Sequence, residues 1–262
     1  MKVPFSLLET HCYVYADRPN YEAGYETQLD RLLSPEEADR FANWYGNKLQ
    51  ASDRTPAATY FVSWLRGFAG AAMTTVACGA TLDWSLSNWS VLSYEQGGYT
   101  RFAFYAHDST VIGSPEVGRE RWMQEQLDGF FGRTLAPLFR SLSQAVSVPE
   151  IQLWRLQATG LQYFVQYAEK ELNASDAAAL RRLSEYITAG MSPAHFGLRT
   201  NPLHISIRMI DNPYEPGGQI AMKAACCLAF KVGGSGYCYT CPRLTSRQRS
   251  LMKEKILAGQ QA

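Results

Sequence analysis

Four cysteines near the C-terminus constrain this chain more than any other feature. Cys226, Cys227, Cys238 and Cys241 follow the pattern C-C-x10-C-x2-C. Thiolate sulfur is a soft ligand that selects zinc or iron–sulfur clusters over metals that prefer oxygen, and four thiolates complete the ligand set of either. The pattern therefore predicts that the C-terminal segment folds around a metal centre.

Three features of this segment favour an iron–sulfur cluster over zinc. Adjacent cysteines are unusual in zinc sites, whose ligands commonly come in pairs separated by about two to four residues. The loop between the cysteine pairs contains Gly233, Gly234 and Gly236, so its backbone can turn inward and direct N–H groups at cluster sulfurs. Pro242 restricts the path of the chain after the last cysteine. Structural zinc stays open, because sites with four cysteine ligands are common among zinc proteins.

A thiol–disulfide oxidoreductase built on Cys238 and Cys241 is a weaker hypothesis. That chemistry needs the first cysteine at a helix N-terminus, where the helix dipole lowers the thiol pKa. Here the next helix is predicted only from Thr245. The remaining cysteines, Cys12 and Cys78, are expected to be buried as small apolar side chains.

The cysteine pattern resembles that of the ferric-siderophore reductases of the FhuF type, which hold a [2Fe-2S] cluster on this double-cysteine motif. The resemblance covers the chain from residue 153 onward. It rests on Leu153-Trp154, Gly160 and Tyr163, on Asn201-Pro202-Leu203 and the segment reaching Arg208, and on Lys223-Ala224-Ala225 before Cys226.

This resemblance implies a cytoplasmic oxidoreductase for iron acquisition, with a [2Fe-2S] cofactor on the four cysteines. Its substrate would be Fe(III) held in a siderophore, of hydroxamate or related type. Hard oxygen donors bind Fe(III) far better than Fe(II), so one electron would release the iron. No catalytic residue is expected beyond the cluster. Arg208 and Lys223, on the strands predicted to lead to it, are candidate contacts to an anionic chelate, with exposed strand residues as an equal alternative.

The electrons are expected from an external donor such as a ferredoxin or a flavoprotein, because the chain has neither a dinucleotide fingerprint nor a P-loop. Two other functions stay open. The protein could be an iron–sulfur electron carrier or redox sensor without a siderophore substrate, or a zinc-stabilised binding protein.

The charge distribution suggests a partner for the C-terminal end. Residues 201–262 hold eight Lys or Arg against three Asp or Glu, whereas the rest of the chain holds 17 against 21. The run after the last cysteine consists of Arg243, Arg247, Arg249, Lys253 and Lys255. This run predicts a docking surface for an acidic electron donor or for the inner face of the membrane, with a solvated helix face as an equal alternative. Nucleic acid is not expected, because aromatic residues do not interleave with the basic ones.

The fold class indicated by the sequence is α+β, a mostly helical body with an embedded antiparallel sheet. With 262 residues and 46% hydrophobic content, the chain can bury a substantial core. We expect the body to span residues 1–200, and a hairpin, the cysteine segment and a terminal helix to span residues 201–262. The apolar tract Tyr60–Ala80 contains Arg66 and is expected to be a buried helix rather than a membrane span.

Capping and periodicity place the individual elements. Helices are predicted from Ser34 to about Gln50, from Thr55 towards Cys78, from Ser114 past Trp122 with a break near Pro137 or before Pro149, from Thr159 to Leu172, from Asn173 to about Thr188, and from Thr245 onward. Strands are predicted at Leu82–Leu86 and Phe102–Phe104 around a Gly97-Gly98 turn, and at Leu203–Met209 and Gln219–Ala225, with a short strand possible at Gln152–Leu156. Several tryptophans could line a siderophore groove but are more often core residues, namely Trp64, Trp84, Trp89, Trp122 and Trp154.

Overall fold

Helices make up most of the protein, as the sequence predicts. The structure, a computed structural model, describes residues 3–215 and 217–259, so the outermost residues of both predicted segments lie outside it. Its α-helices are α1 (Phe5–Leu7), α2 (Pro35–Lys48), α3 (Thr55–Ala77), α4 (Arg119–Gly129), α5 (Ala136–Val146), α6 (Glu150–Glu171), α7 (Ala174–Glu185) and α8 (Ser246–Leu257).

Local capping signals account for several helix starts. Asn173 accepts hydrogen bonds from the first-turn N–H groups of α7, and Thr245 forms a capping box with Gln248 at α8. Pro35 occupies the first position of α2, where its missing N–H costs nothing. Ser34, where this helix was predicted to start, is its N-cap residue but makes no cap hydrogen bond through its side chain.

Some helix predictions needed correction. Residues 152–156 belong to α6, which begins at Glu150, so the possible strand there was wrong. The helix expected from Ser114 starts at Arg119. Of the two predicted break points, the one before Pro149 is confirmed, because α5 ends at Val146 and α6 begins at Glu150. Pro137 does not break the helix, because it lies in the first turn of α5, directly after a π-helical segment at Phe130–Leu135.

The sheet is mixed rather than antiparallel. Its strands are β1 (Val14–Tyr15), β2 (Tyr25–Gln28), β4 (Trp89–Gln96) and β5 (Tyr99–Ala106), in the order β1-β5-β4-β2. Antiparallel pairing joins β2 to β4 and β4 to β5, whereas β1 is parallel to β5. No short turn connects β1 to β5, so nothing local forces the antiparallel direction.

The predicted hairpin is confirmed, but its first strand starts later than expected. Gly97 and Gly98 both have positive φ, as the tight turn between β4 and β5 requires. Residues 82–86 are not a strand. The short β3 (Ala80–Thr81) precedes them and pairs with β6 (Ile112–Gly113), and a 3₁₀ turn follows at Leu86–Asn88.

The core lies between α3, the sheet and α6. Phe61 and Phe68 of α3 contact the aromatic rings of β5, and Gly70 allows the Phe164 ring of α6 to approach the α3 backbone closely. Trp84 and Trp89 stack 4.9 Å apart within this core. Trp154 is also buried, whereas Trp64 and Trp122 pack at the edge of the core. The tract Tyr60–Ala80 is therefore largely a core helix, and among the described residues no helix has the length and apolar character to cross a bilayer.

The C-terminal hairpin is shorter than predicted. It consists of β7 (Met209–Asp211) and β8 (Gln219–Ala221), so residues 203–208 lie outside any strand. The reason is local, because the Asn201 side chain accepts the Leu203 N–H and Leu203 turns into the main core. The prediction that the second strand ends before Cys226 is confirmed.

Candidate metal centre

The chain bends sharply at the two adjacent cysteines. Leu228, directly after them, has a left-handed backbone with a φ of 60°. In a regular strand, neighbouring side chains point to opposite faces, and Cys226 and Cys227 would then diverge. The bend brings Cys226 close to Cys241 and Cys227 close to Cys238.

The four cysteines come together two by two. The Sγ atoms of Cys226 and Cys241 are 3.8 Å apart, and Cys227 interacts with Cys238 through its side chain. All four are unpaired by disulfides. In the described parts of the chain, no group of three or more His, Cys, Asp or Glu side chains is placed to hold a metal ion. The arrangement is thus a pair of thiol pairs and not one four-sulfur cluster of donors.

The backbone of the cysteine segment is attached to the helical body. The buried Thr59 hydroxyl of α3 donates to the Cys227 carbonyl over 2.8 Å, and the Gln152 amide of α6 donates to the Cys226 carbonyl over 2.8 Å. Cys227 and Cys241 are buried, whereas Cys226 and Cys238 are half-buried. Each pair therefore has one deeper and one more accessible sulfur.

Lys223 places a positive charge next to the pair Cys227 and Cys238. Its ammonium lies 3.2 Å from Cys227 Sγ. The interaction with Cys238 and the charge of Lys223 together outweigh desolvation and lower the pKa of Cys227 to about 5. Burial alone would lower the pKa of Lys223, but the neighbouring sulfurs raise it. This pair is thus set up to hold negative charge on sulfur.

Backbone donors reach the sulfurs from the bend rather than from the glycine loop. The Leu228 N–H points to Cys226 Sγ over 3.4 Å, and the Ala229 N–H helps to stabilise the Cys227 thiolate. The Gly233 N–H, expected to face a sulfur, instead donates to the Gln50 carbonyl over 3.1 Å. The loop after Cys227 is therefore hydrogen-bonded to the segment that connects α2 and α3.

The terminal helix packs back on the cysteine segment through Arg249. Its guanidinium donates to the carbonyls of Cys241 over 2.6 Å and Tyr239 over 3.2 Å. Lys253 pairs with Asp211, and Arg243 lies over the Phe230 ring. Much of the basic run thus has partners inside the molecule.

Two adjoining cavities open beside the cysteines. The larger cavity, of about 760 Å³, is lined by residues of α3, α6 and the β7–β8 hairpin. The smaller cavity, of about 510 Å³, lies on the side of Tyr60 and Trp64. Cys227 lines both and Cys238 lines the smaller one, whereas Cys226 and Cys241 line neither.

The two predicted substrate contacts have different outcomes. Lys223 lines both cavities, whereas Arg208 is exposed and lines neither. Arg208 lies just before β7, where its carbonyl accepts the Met222 N–H while its side chain faces solvent.

Sequence reasoning missed the residues that α3 and α6 contribute to these cavities. Arg66 is the only charged residue in the tract Tyr60–Ala80, and it lines both cavities together with His11 and Phe164. A lone arginine in an apolar helix was the available signal, since such a charge needs a reason to be there. The buried state expected for Cys12 is confirmed, whereas Cys78 is only half-buried.

Comparisons of the chain with protein-family models, with curated proteins and with solved structures found no match. The family resemblance of the cysteine motif accordingly stays a prediction.

Proposed function

We propose that this protein is a ferric-siderophore reductase whose cysteines Cys226, Cys227, Cys238 and Cys241 hold a [2Fe-2S] cluster. The observation that carries the proposal is the two-by-two arrangement of the thiols next to an open cavity. A two-iron cluster with four cysteine ligands needs two thiolates for each iron.

The spacing within one pair supports this ligand assignment. Two thiolates on one tetrahedral metal, each at about 2.3 Å, have sulfurs about 3.8 Å apart. The Cys226 and Cys241 sulfurs are 3.8 Å apart. Cys227 and Cys238 would hold the second iron, with the Lys223 ammonium offsetting part of the negative charge of their thiolates.

The chemistry asked of the site is a single electron transfer. When bound, a [2Fe-2S] cluster supplies one electron at a potential that can lie near about −400 mV. An Fe(III) chelate that accepts this electron becomes an Fe(II) chelate, which hard oxygen donors hold weakly. No proton transfer or covalent step is needed, so the protein has only to hold the chelate close to the cysteines and to exclude water.

The electron has to come from outside this chain, from a reduced ferredoxin or a flavoprotein. Within the basic run, Arg247 and Lys255 are exposed and remain candidates for docking an acidic donor or the inner face of the cell membrane. The iron would be released in the cytoplasm.

The experiment is anaerobic purification followed by iron and acid-labile sulfide analysis. The protein is then reduced with dithionite, freed of excess reductant and mixed with a ferric trihydroxamate, while visible absorbance is followed. We expect two irons and two sulfides per chain, bleaching on reduction, and recovery of cluster absorbance as the ferric chelate loses its own. Cys227→Ser should abolish the cluster, and Cys78→Ser, which alters a half-buried cysteine outside the site, should retain it.

Other outcomes point to the alternatives. A cluster that bleaches but is not reoxidised by any ferric chelate indicates an electron carrier or redox sensor. A colourless protein with one zinc per chain indicates a zinc-stabilised binding protein and contradicts the redox proposal.

A further inference from the structure

We infer that the larger cavity is the binding site for the ferric chelate, and that Arg66 selects chelates with a net negative charge. This inference rests on the proposed function, and it adds the location and the charge class of the substrate. A citrate-bridged dihydroxamate, which keeps free carboxylate charge on its iron complex, is the kind of chelate that such a site would take.

Size and position support the assignment. The volume of about 760 Å³ falls within the range of about 300–1,000 Å³ typical of small-molecule sites. Cys227 lies in the wall of this cavity, so a bound chelate would be next to the sulfur that carries the Lys223 contact. The other two cysteines, Cys226 and Cys241, line neither cavity. An electron would therefore leave on the Cys227 side.

Within the described part of the chain, Arg66 supplies the unpaired positive charge of the lining. Lys223 also lines the cavity, but its ammonium lies 3.2 Å from the Cys227 sulfur, and Glu215 is the single carboxylate among the lining residues that the structure describes. Desolvation by the surrounding protein lowers the pKa of Arg66, but a guanidinium stays charged at any physiological pH. Among residues 3–215 and 217–259, no carboxylate forms a salt bridge with Arg66, so its charge is left for a ligand.

The aromatic and polar walls fit an amide- and hydroxamate-rich chelate. Tyr163 and Tyr167 of α6 expose ring surface to the larger cavity. Their hydroxyls already have protein partners, because Tyr163 accepts the Ala221 N–H over 2.8 Å and Tyr167 hydrogen-bonds to His11 over 3.2 Å. The walls are thus held in place before any ligand arrives.

Gly160 gives Arg66 room to lie across α6. A Cβ atom at position 160 would collide with Arg66 Cδ. A Gly160→Ala substitution should therefore displace the guanidinium while the residue and its charge remain in the chain. This allows the position of the charge to be tested separately from its presence.

The test uses Ga(III), which has the coordination preferences of Fe(III) but is not reduced under these conditions. Binding of two probes to the protein as purified is measured by calorimetry, one the anionic Ga(III) complex of a citrate-bridged dihydroxamate and the other an uncharged Ga(III) trihydroxamate. We expect the anionic probe to bind more tightly. Arg66→Gln and Gly160→Ala should weaken its binding roughly tenfold or more, as expected for loss of a hydrogen bond to a charged group. Arg66→Lys should recover part of the affinity.

The control is Arg182→Gln, which removes an exposed arginine of α7 that lines neither cavity. It should leave the affinity for both probes within a factor of about two, the level of an exposed surface change. Equal losses in Arg66→Gln and Arg182→Gln would overturn the site. So would equal affinity of the wild-type protein for the two probes.

The outcomes separate this inference from the proposed function. Arg66-dependent binding of the anionic probe to a protein without a cluster would support the site and contradict the reductase. Reoxidation of the cluster by ferric chelates with no effect of Arg66→Gln on either probe would support the reductase and overturn the site.

Discussion

Lys223 places a positive charge 3.2 Å from the Cys227 sulfur, in the wall of the larger cavity. Its backbone N–H donates to the Thr240 carbonyl over 3.0 Å, so the residue also joins the two halves of the cysteine segment. The sequence suggested Lys223 only as a substrate contact. The structure gives it a second role as a charge partner of the Cys227 sulfur, which depends on a sharp bend that the residue pattern does not reveal.

We expect Lys223→Met to lower the reduction potential of the proposed cluster by tens of millivolts. Reduction adds negative charge to the site, and a nearby ammonium stabilises the reduced form more than the oxidised form. A redox titration followed by electron paramagnetic resonance measures the shift. Lys170→Met, a change at an exposed lysine of α6, is the control and should leave the potential as it is. An unchanged or raised potential in Lys223→Met would count against the assignment of Cys227 as a ligand.

At the scale of elements, α8 stabilises the backbone of the segment that contains Cys238 and Cys241. Its start was predictable, because Thr245 and Gln248 form a capping signal that is local in sequence. Which residue of the basic run turns back to the cysteine segment was not predictable, since all five carry the same charge. Arg249 does so and satisfies two carbonyls next to Cys241.

Arg249→Ala should destabilise the protein by about 1.5–3 kcal/mol, as expected for loss of hydrogen bonds from a charged donor. The matched control is Arg247→Ala on the same helix, whose side chain is exposed and should change little. Urea denaturation gives the free energy of unfolding, and hydrogen exchange at residues 239–241 locates the effect. Similar losses in the two variants would mean that general charge on α8 matters and not the Arg249 contact.

The segment between Cys227 and Cys238 also depends on a contact with a distant element, in this case an ion pair. Lys231 lies 2.6 Å from Asp53, and Val232 bridges to Ala51. Desolvation alone would raise the pKa of Asp53, but hydrogen bonds from Lys231 and Thr55 outweigh it and lower it to about 2. A lowered carboxyl pKa means that the stabilisation is fully present above the value of about 3.9 in an unfolded chain. It is lost as the pH falls towards 2.

The lowered pKa of Asp53 leads to a prediction for the loop of residues 229–237. In wild-type protein, its protection from proteolysis by pepsin should persist from pH 5 down to about pH 4 and then decline. Relative to wild type at the same pH, Asp53→Asn should be cleaved faster at pH 5, and the two rates should converge as the pH falls towards 2. Because Asp53 is well exposed, the effect on global stability should be small. Asp39→Asn, which removes an exposed carboxylate paired with Arg54, serves as the control.

On the scale of the whole molecule, the sequence predicted elements better than contacts. The helices at Pro35 and Thr55 and the β4–β5 hairpin are confirmed because first-turn prolines and a Gly-Gly turn act locally. The parallel pairing of β1, the short β7 and the cavity wall at Arg66 depend on residues far apart in the chain. Such contacts depend on the packing of the whole fold, which local sequence patterns do not predict.

The attachment of the cysteine segment to the helical body belongs to this same class of distant contacts. Thr59 and Cys227 are brought together only by the complete fold, and their hydrogen bond of 2.8 Å is buried. The Cys226 carbonyl is held in the same way by Gln152. The stability of the body and the geometry of the sulfurs should therefore be linked, although the two lie in different predicted segments.

Thr59→Val tests this link, because it keeps the shape of the side chain and leaves the Cys227 carbonyl without its donor. We expect a loss of about 1–3 kcal/mol in the free energy of unfolding, the cost of an unsatisfied buried acceptor. The rate at which a strong chelator removes bound metal should rise along with it. Thr75→Val is the matched control, since its buried hydroxyl bonds only to the Ala71 carbonyl within the same helix. That variant should lose less stability and leave the rate of metal removal unchanged. If both variants accelerate metal loss equally, the rate reflects general loosening of α3, and the buried hydrogen bond at Cys227 has no separate role.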